Sequence, residues 1–107
     1  MDEIPQGFEK LRAQILPEFR ADPEMSQIAE EYVMEVPGML QAIREGLEKP
    51  DLEVVRRNAH TIKGSSGTFG MIQLGLIAGE LEAACKRGES LEELKIKAQH
   101  LFDEAGV

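Results

Sequence analysis

A chain of 107 residues with one cysteine, Cys85, is long enough to bury a core and cannot close an intrachain disulfide, which favours a reducing compartment. Its net charge of −8 argues against a nucleic-acid partner, because phosphates reward basic faces. No apolar run approaches the ~20 residues of a membrane span, and the opening MDEIPQGFEK lacks the basic and apolar regions of a signal peptide, so the expectation is a cytoplasmic protein without membrane contact.

Phe8, Leu11, Ile15 and Leu16 predict a short amphipathic helix that Pro17 interrupts. Residues 1–22 are read as an N-terminal capping segment on a bundle formed by 23–107, the two making a single domain. Asp22 before Pro23 combines an N-cap acceptor with a proline at the first helical position. From there Met25, Ile28, Tyr32, Val36, Leu40, Ile43 and Leu47 keep helical spacing as far as Lys49. Pro37 lacks an N–H and crowds the preceding turn, and a kink is expected there in preference to two separate helices. Pro50 and Asp51 end this helix and start the next, which Gly70 terminates.

In that next helix Leu52, Val55, Ala59, Ile62, Ser66 and Phe69 mark one stripe, and the stripe faces a core. At roughly 100° per residue, Arg56, His60, Lys63, Gly64 and Gly67 share a neighbouring strip that the core leaves to solvent. Gly64 puts no side chain over the imidazole, and each glycine inside a helix costs roughly 1 kcal/mol relative to Ala. Between Val54 and Gly79 there is no Asp or Glu, while Arg56, Arg57 and Lys63 all lie there. The strip is thus a basic island on an acidic body, suited to steering an acidic partner.

A helix from about Met71 to Arg87 carries Leu74, Ile77, Leu81, Ala84 and Cys85 on its inner face, with Cys85 expected to be a buried, unreactive thiol. Gly75, Ala78 and Glu82 share a flank where small residues let a neighbouring backbone approach. Gly88 closes the helix, and Ser90 with Glu93 forms a capping box that opens the last one. There Leu91, Leu94, Ala98, Leu101 and Phe102 face inward, up to Gly106. With no strand signal and short connections, the expected fold is all-α, an antiparallel up-and-down four-helix bundle with a short N-terminal capping helix. Nothing resembles a long heptad seam, so a monomer is expected.

Several other chemistries fail on spacing. Gly64, Gly67 and Gly70 fit neither the P-loop nor the dinucleotide pattern, and Lys63 precedes them. Arg57 and Lys97 stand where a di-iron bundle places Glu three residues before each His, and no carboxylates cluster near His60 to hold magnesium. His100 reads as an ordinary surface residue.

The stretch AHTIKGSSGTFG resembles the signature of histidine-containing phosphotransfer (HPt) domains, and is especially similar to the phosphoacceptor domain of chemotaxis histidine kinases. The likeness extends upstream to YVMEVPGMLQAIREGL and downstream to Leu81 and Glu82, roughly residues 25 to 90. It implies that His60 is phosphorylated, that Lys63 partly neutralises the phosphoryl group, and that Gly64 keeps the imidazole accessible. Glu82 falls where chemotaxis-type members place a carboxylate that hydrogen-bonds the acceptor. Gly67 and Thr68 vary within the family and carry less weight there. The implied function is a phosphorelay carrier that takes a phosphoryl group from a receiver-domain aspartate and passes it to a response regulator, without kinase activity of its own. The implied partners are receiver domains of hybrid histidine kinases and of response regulators, which bring the magnesium; the chain itself is expected to hold no cofactor or metal.

These roles have a physical basis. A neutral imidazole has one protonated nitrogen and one lone pair, and only the lone pair attacks phosphorus. A carboxylate that accepts the Nδ1 proton leaves Nε2 free. Two other readings stay open: a phosphoacceptor domain excised from a chemotaxis-type kinase, and a non-catalytic helical interaction module in which His60 is incidental.

Overall fold

The computed structural model describes the backbone from Gln6 to Val107 and the side chains from Glu9 onward. The first five residues of the N-terminal segment and the Phe8 side chain lie outside the described residues. Six helices follow one another, α1 (Gln6–Ala13), α2 (Pro17–Ala21), α3 (Pro23–Glu48), α4 (Leu52–Phe69), α5 (Ile72–Arg87) and α6 (Leu91–Ala105), with no strand among the described residues.

The helix starts follow from capping chemistry. The Asp22 carboxylate accepts from the Glu24 and Met25 amides at 3.0 and 3.4 Å, with Pro23 at the first helical position. Asp51 accepts from Val54 N at 3.3 Å, and Ser90 Oγ from Glu93 N at 3.2 Å. The end of α4 is set by Gly70, whose φ of +108° is left-handed and whose missing Cβ leaves room for the backbone of the α1–α2 connection. Leu16 N donates to Phe69 O at 2.9 Å across that contact.

Two expectations about backbone are refined. The single N-terminal helix is two short ones, because Pro17 opens α2 as its first residue instead of only ending α1. At Pro37 α3 does not divide; it runs as one helix of 26 residues.

α4 packs between α3 and α5, and α6 lies against both α5 and α3. Val33, Val36, Ile43, Val55, Ala59, Ile62, Leu74, Leu81, Leu94 and Leu101 fill the interior they share, and Leu11 and Ile15 of the N-terminal segment are buried in the same core. Ile28 is exposed, because it lies roughly 80° round the helix from Val36, at the stripe's edge; Ala29 and Val33 face inward there instead. Leu52 is also exposed, since helical side chains tilt toward the N-terminus and a first-turn residue points past the end of its helix. Cys85 is only half-buried, and desolvation pushes its thiol above the ordinary range, which keeps it protonated.

Polar contacts tie the layers together. Tyr32 Oη and Ser66 Oγ, 2.8 Å apart, share a buried hydrogen bond between α3 and α4. Glu30 on α3 receives Arg12 at Oε1 and Arg20 at Oε2, both at 2.7 Å, which clamps α1 and α2 onto the bundle. Phe69 stacks on Tyr32 and takes Phe19 edge-on, closing the same end.

Candidate functional site

His60 sits in mid-α4 with 64% of its side chain exposed. The helix beside it, α5, packs against α4 with Gly75 and Gly79 turned toward Lys63. A Cβ placed on Gly75 would lie 3.4 Å from the Lys63 carbonyl oxygen, and one on Gly79 3.4 Å from Lys63 Cδ. That approach brings Glu82, only 2% exposed, to His60, with Nδ1 2.7 Å from Oε2.

A carboxylate taken out of water must be paired to remain charged. Burial pushes the Glu82 carboxyl up, but hydrogen bonds from His60 and Lys63 and the Lys86 charge outweigh it, holding the group below its ordinary range. Lys63 Nζ is 3.4 Å from Oε1 and Lys86 Nζ 3.4 Å from Oε2. An ionised carboxylate can only accept, so Nδ1 is the donor and the lone pair of the neutral ring is at Nε2. Further along the same strip of α4 the surface is bare: a Cβ on either Gly64 or Gly67 would meet nothing within 4 Å. The site presents a nucleophilic nitrogen on a rigid helix, backed by a fixed acceptor and flanked by two ammonium groups.

A family model described as Hpt domain matches residues 27–104. The chain belongs to the Hpt domain family. Such domains carry phosphoryl groups on histidine within phosphorelays, are generally not kinases themselves, and have receiver domains as general partners. The match runs from the first turns of α3 almost to the end of α6 and leaves α1 and α2 outside it. Comparison with curated proteins and with solved structures gave no match.

Of the residues singled out in the sequence of this Hpt domain, the structure brings His60, Lys63 and Glu82 into one cluster, with Gly64 and Gly67 on the open side. The basic island is weaker than its composition suggests. Arg56 is turned back onto Glu53, Nε to Oε1 3.1 Å, a residue just outside the acid-free stretch; Arg57 is exposed.

Two members of the cluster escaped sequence reasoning. Lys86 was legible as a lysine four residues after Glu82, the spacing at which helical side chains meet. Gly79 carries the stem of Lys63, and nothing in its local sequence marks that. Beside the cluster runs an open groove of about 530 Å³ lined by Gly67, Gly75 and Gly79, by the exposed apolar Leu76, and by Lys63, Glu80, Arg87 and Lys97.

Among the described residues no group of three or more His, Cys, Asp or Glu is placed to hold a metal ion. No described helix is long and apolar enough to cross a membrane.

Proposed function

We propose that His60 is the phosphoacceptor of this Hpt domain, taking a phosphoryl group from the phosphoaspartate of one receiver domain and passing it to the aspartate of another. The observation that carries the reading is the 2.7 Å contact between Nδ1 of an exposed imidazole and a buried, ionised carboxylate. In the loading step the Nε2 lone pair forms the N–P bond as the P–O bond to the aspartate breaks, and that electron pair leaves with the aspartate carboxylate. No proton need move. The ring, still protonated at Nδ1, becomes cationic and faces Glu82, and unloading reverses the step.

Phosphoryl transfer depends on positioning and charge neutralisation more than on covalent chemistry supplied by the protein. Lys63, whose Nζ rests 3.4 Å from Glu82, is the cation free to swing to the phosphoryl oxygens. Magnesium comes with the receiver, whose acidic pocket suits the neighbouring Arg57, Lys63 and Lys86. Gly64 and Gly67 leave room for that partner, and Arg56 and Arg57 flank it. The reading also takes α3 to α6 as an antiparallel up-and-down bundle capped by α1 and α2, supported by the short connections at 49–51, 70–71 and 88–90. It takes the domain as a cytoplasmic monomer, supported by the lone cysteine and the lack of a heptad seam.

The test is to mix the protein with a phosphorylated receiver domain and magnesium and to follow acid-labile label. Wild type is expected to take it up and His60→Gln to remain unlabelled; label persisting on the variant refutes the assignment. The carboxylate on Nδ1 also favours a second reading, the phosphoacceptor domain of a chemotaxis-type kinase. Labelling from ATP by such a kinase domain, with no receiver present, distinguishes the two.

A further inference from the structure

In a chain that is 30% charged, the eight residues Ile72–Gly79 carry no charge, and they form the first two turns of α5, its solvent side included. On that side Ile72 and Leu76 are 55% and 58% exposed, one helical turn apart. A single exposed apolar side chain is ordinary and calls for no explanation. Among the described residues, though, no other two exposed large hydrophobics of one helix stand three or four residues apart, the spacing that makes a shared patch.

The patch adjoins the His60 cluster. Glu82, which meets His60, lies six residues after Leu76 and ten after Ile72, so the two stand about 9 and 15 Å away along α5. The groove beside the cluster joins them, lined by Lys63 and Gly67 from α4 and by Leu76 from α5. A protein footprint of about 800 Å² per partner is a patch of about 16 Å radius. A receiver centred on the imidazole therefore covers Leu76 and reaches Ile72 at its edge. Charge does not mark this flank, because Arg87 and Lys97 both pair with Glu89, at 2.6 and 3.5 Å. What it offers a partner is apolar surface.

We propose that Leu76 and Ile72 form the apolar arm of the receiver footprint: a receiver seated on His60 lies across α4 and α5 and sets an apolar side chain of its own against Leu76. The proposal rests on the reading of His60 as phosphoacceptor. Neither residue reaches the reacting atoms, so both act on docking and leave the transfer step alone. The energetic centre of the arm is Leu76, which lies well inside the footprint, while Ile72 at the rim keeps more of its water.

The test follows uptake of acid-labile label from a phosphorylated receiver with magnesium, in single turnovers at rising receiver concentration. In Leu76→Gln the half-saturating concentration should rise roughly tenfold, the loss expected of an interface anchor, with a smaller rise in Ile72→Gln and a value near wild type in Leu76→Met. The plateau rate should stay within about twofold of wild type in all three, as for the loss of binding that ground and transition states share. Met34→Gln and Ile96→Gln are matched controls, since Met34 and Ile96 are 56% and 55% exposed on faces of α3 and α6 turned out of the bundle, about 160° round from the buried Val36 and Leu94. Both controls should leave half-saturation unchanged. Unchanged half-saturation in the Leu76 and Ile72 Gln variants, at wild-type helix content, overturns the proposal, as does an equal rise in the controls or a fallen plateau without a rise. A wild-type dimer that Leu76→Gln dissolves, with half-saturation unchanged, gives the patch to a second copy of this chain and overturns it too. If wild type takes up no label at any concentration, the acceptor reading falls, and calorimetric titration of the receiver into wild type and Leu76→Gln still decides whether the patch docks it.

Discussion

Gly75 on α5 lies against the Lys63 carbonyl on α4, so close that a Cβ at position 75 would sit 3.4 Å from that oxygen and 3.6 Å from the Gly67 amide nitrogen. This near-contact sets the distance at which Glu82, two turns further along α5, meets His60. Gly75→Ala should be tolerated within about 1 kcal/mol, since its better helix propensity offsets a tight fit. Gly75→Leu should wedge the helices apart and cost about 1–3 kcal/mol. Urea midpoints measure the stability, and phosphoryl uptake from a receiver should fall in the Leu variant and persist in the Ala variant.

A buried hydroxyl pair joins α3 to α4. Tyr32 Oη and Ser66 Oγ satisfy one another at 2.8 Å in the interior, and burial raises the Tyr32 phenol above its ordinary range, so it remains protonated. Removing either hydroxyl alone, as Tyr32→Phe or Ser66→Ala, takes away the other's partner and should cost about 1–3 kcal/mol, toward the lower end for Ser66→Ala because the Ser65 hydroxyl also acts on the phenol. The double variant should be less destabilised than the sum of the two, with a coupling of at least about 0.5 kcal/mol in denaturant unfolding. Additive losses would mean that the hydroxyls act independently.

How far the site was legible from residues alone depends on whether its geometry lies within one helix. The strip of His60, Lys63, Gly64 and Gly67 follows from a fixed rotation per residue, and needs no knowledge of neighbours. Glu82 belongs to another helix, and periodicity says only which flank it shares with Gly75 and Ala78; its place opposite His60 came from the family resemblance. Lys86 carried a local signal in its spacing from Glu82, but that signal has no meaning until the acid is known to be buried. Arg56 shows the opposite failure: counting the charges between Val54 and Gly79 stopped one residue short of Glu53, its partner. In the fold, caps were readable because Asp22, Asp51 and Ser90 act on amides two or three residues away. The exposure of Ile28 and Leu52 was not, because it depends on where the neighbouring helices lie and where α4 begins.

Acid should weaken the fold through Glu82. Burial alone would raise its carboxyl above 4.5, but His60, Lys63 and Lys86 together hold the folded value below that figure. Around pH 4.5 the unfolded chain thus binds more protons at this residue than the folded one, and stability rises with pH. The contribution is fully present above the ordinary carboxylate range and is lost as pH falls through the lowered folded value. Urea midpoints between pH 3 and 7 should decline at the acid end for wild type and decline less for Glu82→Gln, which should start lower at neutral pH because both lysines lose their acid. Glu30, lowered in the same direction by Arg12 and Arg20, should leave a residual slope in the variant. An identical acid slope in both proteins would mean that Glu82 contributes nothing to it.

Gly64 separates stability from function most sharply. It lies in the middle of α4, one turn from His60, and a Cβ there would meet nothing within 4 Å. No packing reason calls for glycine, and its cost to the helix is uncompensated. Gly64→Ala should therefore raise stability by about 1 kcal/mol, the propensity difference in an exposed helix interior. Gly64→Leu should also fold with at least wild-type stability, since its side chain extends into solvent. On the proposed reading a receiver seated over His60 needs that space, so the Leu variant should lose at least about tenfold in transfer, equivalent to 1.4 kcal/mol in the barrier. Circular dichroism and urea unfolding give the first half, and the rate of label uptake from a phosphorylated receiver gives the second. A stable Leu variant that transfers at the wild-type rate would place the docking partner elsewhere on His60's surroundings and remove Gly64 from the site.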